Sequence, residues 1–333
     1  MNKMIFLTLG GLLLLSVFLL FLAVYLVVGM PGLSYKGTPE PLSEAEERIS
    51  ERLRQHVRTL CAEGPRHLQF PGLESASGYI RSQLETMGYR VNEQVFAAGH
   101  SSVVNLWVDV PGTGLDERII VVGAHYDTRA ETPGADDNGS AVAVALELAR
   151  HFKDRPILNG LRFSFFPNEE SPFFGSEEMG SLQFARLIGE NGDHVIGMFS
   201  LEMLGYYSDE PGSQLYPPPF SLFYPGVGNF VAFVGNLDSR PWIRATINAF
   251  RQVARIPSEG MAAPSFVQDA GRSDHWAFWK AGIPALMITD TANFRNPHYH
   301  RPTDLPETLD YQRMALLTTG LAETLKTLDY QGP

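Results

Sequence analysis

The stretch IIVVGAHYD, residues 119–127, sets six small or branched apolar residues ahead of a histidine, a tyrosine and an aspartate. An apolar run that short and that rich in β-branched residues predicts a strand, Ile119–Ala124, buried on both faces. Three more runs share its character: Leu161–Phe166, Val195–Leu201 and Pro284–Ile288. Between and after them lie helical patterns. Ala141–Phe152 is apolar nearly all round, Arg240–Ala254 is amphipathic, and Thr308–Leu328 reads as a closing helix. Strands alternating with helices predict an α/β fold, with a mostly parallel mixed central sheet flanked by helices.

Upstream, Ser43 and Glu46 form a capping box before Ile49, Leu53, Val57 and Leu60, one apolar helical face. A second helix is expected over about Glu74–Met87, then a strand over Val103–Val110 that stops at Pro111-Gly112. No internal repeat is present. Residues 205–228 are rich in Pro, Gly and Tyr and too long for an ordinary connection. They read either as a lid or specificity loop or as a variable surface insertion.

At the N-terminus no side chain between Lys3 and Lys36 is charged, and Ile5–Val28 exceeds the roughly 20 apolar residues that cross a bilayer core. The run is longer than a signal-peptide core and ends in Val-Gly-Met-Pro31, so an uncleaved single-pass anchor is expected. Lys3 precedes the span, whereas Lys36 is soon followed by Glu40 and Glu44. That places the N-terminus inside and the bulk of the chain on the non-cytoplasmic side. Residues 1–35 form the anchor and its flank; residues 36–333 are expected to fold as one unit.

The chain of 333 residues carries 26 Lys plus Arg against 37 Asp plus Glu, a net of −11. Residues 1–35 hold only Lys3, so the remainder has 25 positive against 37 negative side chains, a net of −12. Nucleic acid is therefore excluded as a partner on electrostatic grounds. At 44% hydrophobic and 19% charged, the composition supports a large core and excludes disorder or a coiled coil. Cys61 is the only cysteine, which rules out an intramolecular disulfide and a thiolate metal cluster. Any metal must bind nitrogen and oxygen.

Open α/β sheets bind ligands beyond the carboxyl ends of their strands, and here metal-ligating residue types follow each run. The first strand leads into His125 and, two residues on, Asp127, which could orient its imidazole. The second leads into Glu169-Glu170; adjacent side chains diverge, so one could hold a metal while the other serves as base. Glu202 closes the third between Leu201 and Met203, where a charge needs a partner. The segment Pro133–Ser140 offers Asp136 or Asp137, and the loop after the last strand offers His298 or His300. The remaining histidines, His56, His67, His100, His151, His194 and His275, have structural readings. Two histidines, one aspartate and two glutamates, with a further glutamate as base, suit two borderline cations such as zinc, held ~3.5–4 Å apart in two-metal hydrolases.

The motifs Gly123-Ala-His-Tyr-Asp-Thr128, Gly134-Ala-Asp-Asp-Asn-Gly139, Asn168-Glu-Glu170, Leu201-Glu-Met203, Ser273-Asp-His275 and Tyr299-His300 resemble those of the co-catalytic zinc aminopeptidases of metallopeptidase family twenty-eight. The resemblance covers about residues 75–325 and implies one catalytic domain. It also implies that Asp137 bridges two zinc ions, that His125 and Glu202 complete one sphere, and that Glu170 and His300 complete the other. Asp127 would support His125, Glu169 would be the general base, and Tyr299 would stabilise the oxyanion. Two features depart from the family pattern: Glu202 stands where Asp is common, and Ser-Pro-Phe-Phe-Gly-Ser176 follows Glu170 in place of a Gly-rich turn. Peptides are the implied substrates. Glutaminyl cyclases share the pattern but tend to carry Trp at the position of Tyr299, and receptor-like ectodomains of the same fold have lost ligands that are all filled here.

Overall fold

The computed structural model describes residues 2–38 and 40–331. Its helices are α1 (Asn2–Val28), α2 (Glu44–Cys61), α3 (Pro71–Thr86), α4 (Ala141–Phe152), α5 (Gly180–Asn191), α6 (Arg240–Val253), α7 (His275–Lys280) and α8 (Tyr311–Gln331). Its strands are β1 (Asn92–Ala98), β2 (Ser101–Val110), β3 (Ile119–His125), β4 (Gly160–Phe166), β5 (Val195–Glu202), β6 (Val231–Asn236), β7 (Ser258–Ala263) and β8 (Ala285–Thr289). They form one mixed sheet in the order β1-β2-β4-β3-β5-β8-β6-β7. The central β4, β3, β5 and β8 are parallel, while β2 and β6 join them antiparallel on either side.

The apolar run at the head of the sequence becomes β3, with Val121 and Val122 buried on opposite faces. Val122 faces the layer that holds α2, α4, α6 and α8; Val121 faces the smaller cluster of Phe166, Phe184, Met198 and Phe278 beneath α5 and α7. Gly123 is required by packing, since a Cβ there would lie 2.5 Å from the Phe166 ring. The expected capping box is present: Glu46 Oε2 accepts from the Ser43 amide at 2.9 Å, and Ser43 Oγ accepts from the Glu46 amide at 3.4 Å.

Three strands and two helices lie outside the sequence expectation. β7, Ser-Glu-Gly-Met-Ala-Ala, has no β-branched or aromatic residue, and β1 is an edge strand with polar residues at three of its seven positions. Short α7 has too few residues for a periodic signal, whereas α5 carries one, with Ser181, Phe184, Ala185 and Ile188 buried at helical spacing, and lies outside the expectation all the same. The closing helix starts at Tyr311 because Pro306–Thr308 forms a separate 3₁₀ turn. At the other end of the chain, Gly11–Val28 of α1 is long and apolar enough to cross a membrane, and none of it is buried.

Residues 205–228 are folded back on themselves. The Ser208 amide donates to the Gly228 carbonyl at 2.9 Å, the Gly212 amide to the Gly226 carbonyl at 2.9 Å, and the Leu215 amide to the Phe294 carbonyl at 2.8 Å.

Candidate metal centre

Parallel neighbours end at the same level, so the ends of β3, β4 and β5 deliver His125, Glu169, Glu170 and Glu202 to one place. Two loops complete it. One enters α4 and carries Asp137; the other follows β8 and carries His300. His125 Nε2 lies 3.3 Å from Glu202 Oε2 and 3.6 Å from Asp137 Oδ1. His300 Nε2 lies 3.1 Å from Asp137 Oδ2 and 3.0 Å from Glu170 Oε1. Two donor triads result, His125–Asp137–Glu202 and Asp137–Glu170–His300, and within each the donor atoms lie within 4.8 Å of one another. Asp137 belongs to both, one oxygen turned toward each histidine.

The geometry separates the pairs that the sequence left open. Asp136 points away from the triads and accepts from the Gly205 amide at 2.8 Å and Asn296 Nδ2 at 2.6 Å. His298 is drawn to Thr303 Oγ1 at 2.9 Å. His275 pairs with the Ala270 carbonyl at 2.8 Å, and its ring packs edge-on to Trp279. His56 lies far off in chain and contacts, between Tyr79 and Glu147.

Around the triads, acidic side chains hold the backbone. Asp127 Oδ1 lies 3.3 Å from His125 Nδ1, and its two oxygens accept from the Glu169 and Glu170 amides, each at 3.0 Å. Asp304 does the same for the other loop, accepting from the Asp136 amide at 2.9 Å and the Asp137 amide at 3.1 Å. Ser273 Oγ donates to Glu202 Oε2 at 2.6 Å and lies 2.8 Å from Ser200 Oγ. Arg66 is fully buried and donates to the carbonyls of Tyr126, Pro133 and Gly134, fixing the segment that leads to Asp137. Neither Arg66 nor Asp304 has a motif that announces it. Arg66 has no local pattern at all, whereas Asp304 sits only four residues beyond His300.

Charge in the cluster is unbalanced. Burial pushes Glu169 well above the usual carboxylate range, with Glu202 and Glu170 adding to the shift against the pull of His125. Burial and neighbouring Asp137 raise Glu170 to about 7, and burial raises Glu202. His125 is raised well above an ordinary imidazole although burial opposes this, because Glu202 and Glu169 face it. Burial also works against His300, yet Asp137 and Glu170 raise it to about 9. Asp137 alone is lowered: burial would raise it, but both histidines outweigh that. Groups that hold protons this strongly mark a place suited to a cation.

Tyr299 stacks on His300 with ring centroids 3.7 Å apart, and burial keeps its phenol protonated. It also lines an apolar cleft that opens beside Glu202, walled by Tyr216, Phe220, Tyr224, Phe230, Met261 and Met287. The 205–228 segment thus forms one wall of that cleft.

The Escherichia coli K12 protein YfbL, itself uncharacterized, is 36% identical over 98% of this chain and 99% of its own length. LpqL of Mycobacterium tuberculosis, a probable lipoprotein aminopeptidase, is 29% identical over 66% of this chain, which spans 45% of LpqL. The fold is shared with the Legionella pneumophila aminopeptidase LapA (TM-score 0.69, 18% identity, 89% of this chain and 78% of LapA). It is shared as well with Fimbriiglobus ruber glutaminyl cyclase (TM-score 0.62, 20% identity, 88% of this chain and 98% of the cyclase). The family model matches residues 105–325, and with the end-to-end likeness to YfbL this means that the chain belongs to Peptidase family M28.

Proposed function

We propose that the chain is a membrane-anchored exopeptidase, an aminopeptidase, that works with two zinc ions. The observation that carries this reading is the pair of donor triads sharing Asp137. His125, Asp137 and Glu202 would hold one ion; Asp137, Glu170 and His300 would hold the other. The residues present fit such ions. Imidazole nitrogens mixed with carboxylates suit a borderline divalent cation. Among the described residues no lysine or arginine forms an ion pair with these acids, and buried Glu170 Oε1 has no hydrogen-bond donor aligned on it.

Bound divalent ions bring the pKa of a water toward neutrality and draw charge from a carbonyl. Glu169 belongs to neither triad, yet its Oε2 lies 3.9 Å from His125 Nε2. It is placed to take a proton from the attacking water and return it to the leaving amine. Tyr299, protonated and stacked on His300, can donate to the carbonyl oxygen as charge develops there. The apolar cleft beside it would receive a substrate side chain.

The apolar α1 would anchor the chain, with Lys3 on the cytoplasmic side and the catalytic part on the other. LpqL's description as a lipoprotein supports membrane association. The test is a peptide-library digest by the full chain in detergent, with and without chelator, read by mass. Release of N-terminal residues that stops with chelator supports the proposal; C-terminal trimming, or no metal-dependent product, refutes it. Peptides that begin with glutamine, included in the library, would lose ammonia instead if the chain were a cyclase.

A further inference from the structure

The N-terminal helix is gripped where it meets the rest of the chain. Arg240 Nε donates to the Leu26 carbonyl at 2.7 Å, Arg244 to the Gly29 carbonyl, and Arg251 Nη1 to the Pro31 carbonyl at 3.0 Å. Farther on, the Ser258 amide donates to Ser34 Oγ at 2.8 Å. Met30 packs so closely on β7 that a Cβ at Gly260 would lie 2.9 Å from its Cγ.

Topology turns these contacts into a direction. β6 runs against β8, and α6 returns against β6, so α6 points the same way as the central parallel strands. Residues 26–31 follow α6 from Arg240 to Arg251, about 16 Å of helix at its usual rise. The apolar helix therefore leaves from the amino ends of β3, β4, β5 and β8, and the metal centre sits at their carboxyl ends. The loops at the departing end expose three leucines: Leu115 after β2 (99% exposed), Leu158 before β4 (41%) and Leu237 after β6 (44%). Acids and bases alternate beside them, as in Asp116 with Arg118, Asp154 with Arg155, and Asp238 with Arg240. Attraction to anionic lipid is not built in.

We propose that this end of the sheet rests on a phospholipid surface, with Leu115, Leu158 and Leu237 at the headgroup boundary and the metal centre turned toward water. The proposal rests on α1 being the membrane anchor. Its consequence is a substrate class: peptide termini that approach from the aqueous phase, not segments lying in the bilayer plane.

The test uses the full chain with Cys61→Ser, reconstituted in phosphatidylcholine vesicles that contain headgroup spin-labelled lipid. An environment-sensitive dye is placed by Leu115→Cys or, at the opposite end beside Asp304, by Leu305→Cys. Quenching of at least about two-fold at position 115 and none at 305 is expected for side chains at the interface. Equal quenching at both positions, or quenching only at 305, overturns the docking while vesicle flotation still supports the anchor. Failure to float overturns the anchor reading itself. In a second variant, Arg240→Gln with Arg244→Gln, the contrast between positions should vanish with flotation kept. A contrast that persists would remove the arginines as the orienting device.

Discussion

Two buried clusters of carboxylate and histidine stand out among the described residues, and their glutamates are shifted in opposite directions. At the interface of α2 and α4, Glu147 meets Arg52 Nη2 at 2.6 Å, Arg150 Nε at 3.1 Å and His56 Nε2 at 3.3 Å. Burial would raise its pKa, but His56 and Arg52 drive it down to about 2. In the candidate metal centre Glu169, Glu170 and Glu202 have histidines beside them but, among the described residues, no lysine or arginine in an ion pair, and all three are pushed up. The residue types are the same; the difference is whether permanent cations are built in. A histidine beside a balanced carboxylate is structural, and one among unbalanced carboxylates marks a site for an external cation.

The contrast breaks most completely at Asp137, the one acid common to both triads. Asp137→Ala should lose both metal equivalents by elemental analysis. Its turnover should fall by about four orders of magnitude or more, the scale of losing a central group in other hydrolases. Retention of both ions would mean that the triads do not share a bridging ligand. Glu169→Gln should act differently, with the metal content intact and turnover lowered by at least ~10²-fold, as expected for a proton carrier. Near-normal turnover in that variant would remove Glu169 from the chemistry.

His300→Ala should cost one metal equivalent and leave the second, with the circular dichroism spectrum unchanged. His298→Ala is the control, because its ring is held by Thr303 outside the triads, and it should keep both ions. If the two variants behaved alike, the loop after β8 would not supply a ligand.

What could be read in advance follows from how each residue is positioned. His125, Glu169, Glu170 and Glu202 come at or just after strands whose apolar runs are unmistakable, so strand order alone places them together. Asp137 and His300 sit on loops with an equally plausible neighbour, Asp136 and His298. The family resemblance points to Asp137 and His300, and the directions imposed by Asp304, Asn296 and Thr303 turn the same two toward the triads. Arg66 stayed illegible because its work is tertiary: its guanidinium satisfies three carbonyls 60 to 68 residues away in sequence. β7 is an edge strand paired with β6 and covered on one face by Met30, and its Ser-Glu-Gly-Met-Ala-Ala sequence has no strand propensity of its own to read.

The smallest expected effect lies in the balanced cluster and tests the other half of the contrast. Glu147 has its folded pKa depressed to about 2 from an ordinary 4.5. A depressed carboxylate contributes stability that is fully present above its unfolded pKa and is lost as pH falls through the folded value. The window is therefore about pH 4.5 down to 2. At pH 7 Glu147→Gln should destabilise the fold by about 3 kcal/mol, the linkage value of a shift of this size, with metal content unchanged. In urea titrations the gap between parent and variant should narrow across that acid window and nearly close at its lower end. A gap independent of pH would mean that Glu147 contributes by packing alone, and the two clusters would then not differ in their electrostatics.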